Sequence, residues 1–215
     1  MEMWRPIFKT WGGMMQEETD LVTAEVPETG ETSIEADARA AQIAALATTA
    51  RELLARRKWA EAERAYEQLL MLQQAAEDRL GIARTKNDLA SLYLAQQEWQ
   101  QAIELLERSQ RVFEEAGDPE QEAVALNNLA AAQYELGQTE LALANYERAL
   151  EMRRTMGDLV GEAKTLRNLG MLYAKQGNKM RAKAYLNQAI SVARKANAGD
   201  LVKIIRKSLS QLPRH

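Results

Sequence analysis

An all-α solenoid of stacked helix pairs is the fold this sequence predicts, and three observations predict it. Alanine recurs at a step of 40 residues at Ala62, Ala102, Ala142 and Ala182, and leucine does so at Leu89, Leu129 and Leu169. A fixed period of that size marks stacked supersecondary units rather than one globular core. The composition is rich in Ala, Leu, Glu, Gln and Arg, with four prolines and two phenylalanines. These are strong helix formers, without the β-branched, evenly punctuated texture of an all-β chain. Turn residues keep the same step: Gly137-Gln138 and Gly177-Asn178 fall between helices, and Gly117 and Gly157 stand where C-cap glycines end them.

Taken in order, residues 1–15 form an apolar N-terminal segment, with Met3, Trp4, Ile7, Phe8, Trp11, Met14 and Met15 at helix-like intervals. Two readings fit it: a lid on the first repeat, or an amphipathic anchor aided by Arg5 and Lys9. Residues 16–38 are acidic, without apolar periodicity, and are expected to be a disordered linker, because so polar a stretch cannot offset its ordering entropy.

Residues 39–202 then read as four helix pairs, about 43–82, 83–122, 123–162 and 163–202. In each first helix a small residue recurs at Ala50, Ala90, Ala130 and Gly170, opposite the alanine of the second helix. Helix axes approach to about 8–10 Å only where side chains are small, so these pairs set the contact within a repeat. Tyr66, Leu106, Tyr146 and Leu186 follow each second-helix alanine by four places and fill the space between neighbours. Trp59 and Trp99 open their second helices, and Asp118 and Asp158 are the expected N-caps, the former followed by Pro119. Residues 200–212 close the array as a capping helix, with Leu201, Ile204, Ile205, Ser208, Leu209 and Leu212 on one stripe.

The same sequence excludes several kinds of chemistry. Without cysteine there is no disulfide, thiolate metal site or thiol nucleophile. The single histidine, His215, is terminal and is assigned no role. No phosphate-cradling glycine loop or carboxylate–histidine cluster is present, and pairs such as Glu114-Glu115 read as solvated helix faces. The expectation is a non-enzymatic chain with no catalytic or metal-ligating residue and no cofactor. No apolar run reaches the ~18–20 residues that span a bilayer, so a cytoplasmic location is expected and a membrane partner is not.

Charge is segregated. The net charge is −3, but residues 12–38 hold eight acids and no base, while residues 163–215 hold twelve Lys or Arg against Asp200 alone. A self-contact of the acidic arm with the basic repeats is one expectation from this asymmetry, and a solubilising tail is the other.

The spacing Leu166, Leu169, Gly170, Tyr173, Ala182, Leu186, Ala189 resembles the tetratricopeptide repeat, whose usual period is about 34 residues. The longer period and the stretch GDLVGEAKTLRNLGMLY resemble the 40-residue branch that includes kinesin light chains and Pins-type adaptors. Thr49 and Leu69 in repeat one, and Lys86 and Ser109 in repeat two, depart from the pattern. The resemblance implies a right-handed superhelix whose first helices line a concave groove. It places Arg84, Asn87, Asp88, Ser91 and Leu94 there from repeat two. Repeat three would add Val124, Asn127, Asn128, Ala131 and Tyr134, and repeat four Lys164, Arg167, Asn168, Met171 and Lys175.

Asn128 and Asn168 occupy the position where that branch carries an asparagine holding the backbone of an extended peptide. The alternative role is a link between adjacent first helices. Lys164 and Asn128 match a chaperone-type carboxylate clamp, but Asn87, Ser91 and Asn168 depart from it. A groove of this polarity implies a protein-interaction adaptor or scaffold taking an extended, acidic peptide segment with an aliphatic or aromatic anchor. The competing expectation is a nucleic-acid- or anionic-surface-binding protein that uses the basic C-terminal repeat. Against it, Tyr173 and Tyr185 sit where packing would claim them, which leaves no base-stacking platform.

Overall fold

The structure, a computed structural model, describes residues 33–212. The apolar segment 1–15 and most of the acidic linker therefore lie outside the described residues, as does the expected self-contact of the arm. The chain divides into two units, Met1–Ala38 and Arg39–His215. Of the first unit only residues 33–38 are described, and they are helical. Helix α1 (Ser33–Ala55) thus takes in residues 33–38 of the expected linker. Alanines at 36, 38, 40 and 41 favour the helical state there, and Glu35 in the first turn complements the helix dipole.

Eight more helices follow among the described residues: α2 (Trp59–Ala75), α3 (Arg79–Gln96), α4 (Trp99–Ala116), α5 (Pro119–Glu135), α6 (Thr139–Met156), α7 (Leu159–Lys175), α8 (Lys179–Lys195) and α9 (Gly199–Ser210). The first helices α3, α5, α7 and α9 start 40 residues apart, and so do the second helices α2, α4, α6 and α8. The pairs α3/α4, α5/α6 and α7/α8 therefore begin four residues before the repeat windows drawn from the sequence, and α1/α2 begins ten residues before its own.

Side-chain caps hold the N-termini of α3, α5, α7 and α8. The carboxylates of Asp78 and Asp158 accept the backbone N–H of Gly81 and Gly161 at 2.8 Å. Asp118 accepts that of Gln121 at 3.2 Å, and Asn178 that of Arg181 at 3.1 Å. Every helix but the last is followed by one residue of positive φ. Gly117, Gly137, Gly157 and Gly177 supply it in the middle of the array, and Arg57, Glu77, Gln97 and Asn197 supply it at the ends.

Packing follows the expected pairs. Ala50, Ala90, Ala130, Ala62, Ala102, Ala142 and Ala182 have no exposed surface, and Tyr66, Leu106 and Leu186 are fully buried beside them. The departures of repeats one and two are absorbed. Leu69 is buried in the first core cluster, and Ser109 satisfies its hydroxyl by donating to the Leu105 carbonyl at 2.8 Å. Where a second helix meets the next first helix, two solutions appear. Gly81 and Gly161 leave room for the buried polar chains of Gln73 and Arg153, whose tips lie 2.8 and 2.6 Å from the place a Cβ would take. Gln73 accepts from the Thr85 hydroxyl at 2.8 Å. The equivalent of Gln73 and Arg153 in the intervening repeat is Phe113, buried and apolar, and no glycine is needed there.

The helix α9 caps the stack with five of the six residues of the expected stripe, and Ile204 is the exception. Ile205 and Ser208 are buried and Leu201, Leu209 and Leu212 half-buried, whereas Ile204 is 51% exposed. At 100° per residue the neighbour of a buried position turns away from it. Stepping back 40 residues, Lys203, Arg206 and Ser210 stand where α7 has Ala163, Leu166 and Gly170. The face that would receive another second helix is therefore polar and exposed.

Candidate functional site

Consecutive first helices touch: α3 meets α5, α5 meets α7 and α7 meets α9. No such contact joins α4 to α6 or α6 to α8. Helices closer on one side than on the other make a curved stack, so α3, α5, α7 and α9 line its inner side.

The inner stripe is built from positions one turn apart on each first helix: Arg84, Asn87, Asp88 and Ser91 on α3; Val124, Asn127, Asn128 and Ala131 on α5; Lys164, Arg167, Asn168 and Met171 on α7. Leu94, Tyr134 and Lys175 lie a turn further on. The structure brings these together as one surface, with one exception. Asn87 is only 4% exposed, so it packs between helices instead of facing the groove, and its Oδ1 has no partner.

A side-chain ladder ties each first helix to the one before it. Arg51 on α1 donates from Nε to Asp88 at 2.8 Å, and that bond holds the guanidinium in its charged form, its pKa raised. Asn128 Nδ2 faces the Ser91 hydroxyl at 3.5 Å. Asn168 Nδ2 donates to Asn127 Oδ1 at 3.2 Å, which also accepts from the Thr165 hydroxyl at 3.4 Å. Arg167 Nε donates to the Ser208 hydroxyl on α9 at 3.1 Å. The amides Asn128 and Asn168 therefore do link adjacent helices. Each keeps its Oδ1 and a second N–H, and both side chains are half-exposed, so a bound backbone can still be accommodated.

Electrostatics divide the groove. Arg84 pairs with Asp118 at 3.2 Å, and Lys175 with Glu135 at 2.6 Å. Lys175 also lies over the Tyr134 ring, 4.7 Å from its centroid. The Tyr134 hydroxyl is pushed up by burial, with the nearby ammonium opposing. Lys175 is thus less available to an acidic partner than its spacing suggested. Lys164 is exposed and makes no ion pair among the described residues. Among these groove residues of α3, α5 and α7 the unpaired positive charge consequently sits on α7.

Other charged groups are structural. Glu122 is buried against Arg148 and Gln110, and Glu162 accepts from Arg154 at 3.0 Å. Glu114, held below the usual carboxylate range by Gln110 and then Arg148, belongs to the same cluster. Tyr173 and Tyr185 stack on each other, centroids 5.3 Å apart, and offer no free ring to a base. Outside the groove, Trp99 and Leu136 line an open depression of about 430 Å³ on the turn edge. Among the described residues no group of three or more His, Cys, Asp or Glu is placed to hold a metal ion, and no helix is long and apolar enough to cross a membrane.

A tetratricopeptide repeat family model matches residues 81–155 and again 121–195, together more than half of the chain. Among solved structures, aspartyl phosphate phosphatase F from Bacillus subtilis superposes with a TM-score of 0.72 at 14% identity, over 78% of this chain and 44% of that one. A Rap protein complexed with competence and sporulation factor gives 0.70 at 16% identity, over 76% and 46%. A putative kinesin light chain with nearly identical TPR-like repeats, from Podosopora anserina, gives 0.60 at 17% identity, over 81% and 98%. At these identities the likeness is one of fold. The chain spans less than half the length of the first two proteins. No curated protein sequence matches it.

Proposed function

The chain belongs to the tetratricopeptide repeat family, and on that premise we propose that it is a non-enzymatic adaptor whose inner face holds an extended, acidic segment of another protein. Repeats of this family typically serve protein–protein interaction, and the structurally similar Rap protein was solved with competence and sporulation factor bound. The observation that carries the reading is the run of half-exposed amides Asn127, Asn128 and Asn168 with Lys164, which has no ion pair among the described residues. An extended backbone presents alternating donors and acceptors, and an Asn amide meets both at once. Lys164 and Arg167 add a preference for carboxylates, which raises association rate and discrimination more than raw affinity.

The test is the double substitution Asn128→Ala and Asn168→Ala, with partner capture measured beside circular dichroism. Each lost neutral hydrogen bond is worth about 0.5–1.5 kcal/mol, so the pair should weaken capture about tenfold or more while helicity is retained. Full retention of the partner by a folded double variant would remove the inner face as the binding surface.

A further inference from the structure

The 40-residue register that aligns the first helices does not stop at α7. It places Ile204 at the position of Lys164, Lys207 at that of Arg167, Ser208 at that of Asn168 and Gln211 at that of Met171. These residues belong to α9, which α7 touches directly, and the Arg167–Ser208 hydrogen bond of 3.1 Å joins the two helices at this level. As a capping element, α9 needs its buried face and a solvated outer face. It does not need an exposed isoleucine on its inner stripe, yet Ile204 is 51% exposed there.

We infer that the cap helix is part of the groove: Lys164 and Arg167 on α7, with Ile204 and Lys207 on α9, form a composite subsite for a partner segment in which carboxylates flank one aliphatic side chain. This rests on the proposed function and specifies its C-terminal subsite. Charge complementarity selects the occupant. Lys164, Arg167 and Lys207 share the inner-stripe register with Ile204 on two touching helices, and neither Lys164 nor Lys207 has an ion-pair partner among the described residues. The acids of the neighbouring elements are engaged elsewhere. Glu162 is paired with Arg154, Glu135 with Lys175, Asp200 with Lys203, and Asp158 caps α7. Spacing agrees. Packed helices lie about 8–10 Å apart, and three residues of an extended chain in the polyproline II conformation span about 9 Å and return to the same face. A segment crossing from α7 to α9 therefore sets residues three apart over equivalent positions of the two helices. An acid over Lys164 would then be followed by an aliphatic side chain over Ile204, and acids would meet Arg167 and Lys207 one turn along.

The experiment is to pan a displayed random peptide library against the full chain and to measure synthetic copies of the enriched peptides by fluorescence anisotropy. The binding panel comprises the wild type, Lys207→Glu, Ile204→Ser and the Asn128→Ala/Asn168→Ala pair. Ile204 and Lys207 are both exposed, so melting curves should be unchanged by either α9 substitution. The expected result is enrichment of acidic peptides with an embedded Leu, Ile or Val. Lys207→Glu should weaken them about fivefold to tenfold and Ile204→Ser about threefold or more. Peptides that need Asn128 and Asn168 but ignore both α9 substitutions would overturn the composite subsite and leave the proposed function standing. No enriched peptide, or peptides indifferent to every inner-face substitution, would overturn both.

Discussion

Replacing Gly170 by Ala sets two effects of known size against each other. A glycine inside a helix costs about 1 kcal/mol relative to alanine, so propensity alone predicts that Gly170→Ala stabilises the chain by that amount. Geometry predicts the reverse. A Cβ at 170 would lie 2.8 Å from Leu186 Cγ, 3.0 Å from its Cδ2 and 3.3 Å from the Ala182 carbonyl oxygen. Leu186 is fully buried and its Cγ is close to the backbone, so it cannot swing clear. Overpacking of this kind typically costs about 1–3 kcal/mol, which leaves a net destabilisation of about 0–2 kcal/mol. The double variant with Leu186→Ala isolates the clash, because the added methyl then enters the space that the leucine vacates. The cycle should show a favourable coupling of about 1–2 kcal/mol. Urea unfolding should be followed by far-ultraviolet circular dichroism and by hydrogen exchange in α7 and α8, since the tryptophans at 4, 11, 59 and 99 all lie outside this repeat. A stabilisation of the full 1 kcal/mol with additive costs would show that α7 and α8 are not in this close approach.

Further outcomes follow from the backbone and the buried hydroxyls. Glu77 holds φ at 53°, a conformation that costs a non-glycine residue about 1–2 kcal/mol, so Glu77→Gly should raise the melting temperature. Gly137→Ala should lower it, although an added Cβ there meets nothing within 4 Å. Equal melting temperatures for wild type and both variants would remove the strain. The Tyr66 hydroxyl is buried without a partner, so Tyr66→Phe should be neutral or stabilising by up to about 1 kcal/mol; a loss of 2 kcal/mol or more would reveal a hidden hydrogen bond. Burial pushes the phenols of Tyr66 and Tyr93 up to about 12, with Glu63 adding to the shift at Tyr93. The folded chain keeps protons that the unfolded chain gives up above about pH 10, so stability should fall as pH rises from about 10 to about 12. Spectrophotometric phenolate titration together with thermal melts across that range checks this, and Tyr66→Phe should flatten the slope.

The fold was readable from sequence because its determinants are local and recur. Small residues at Ala130 and Ala142, an aspartate before Pro119 and a glycine at 157 each say the same thing at the same phase. Consistency across propensity, capping and pattern is what makes a sequence specify one structure. The groove was less readable, because facing is a property of two helices at once. Asn87 shares its column with Asn127 and Arg167, yet it is buried, and Lys175 has the spacing of a groove cation but is held by Glu135. Neither fact follows from the position of one residue. The contribution of α9 had a signal, since the 40-residue step runs on to Ile204 and Lys207. Reading the segment only as a cap placed Ile204 on the covered stripe and hid it.

The ladder also decides where along the inner face a backbone can be held. Its rungs, Asp88, Asn128, Asn168 and Ser208, occupy one register position on successive first helices, and each is engaged with the helix before it. Asp88 is paired through Oδ2 with a guanidinium, and as a carboxylate it can only accept, so it has no donor for a peptide carbonyl. Ser208 is buried, and its hydroxyl is committed to Arg167 and to the Ile204 carbonyl at 3.3 Å. Only the two asparagines, after making their links, retain both a donor and an acceptor at a half-exposed surface. Stacking and recognition can therefore share the same side chains in the middle of the array, on α5 and α7. On the proposed function the ends would work through charge and apolar contact instead, the roles proposed for Lys164, Arg167, Ile204 and Lys207 on either side of the α7–α9 junction.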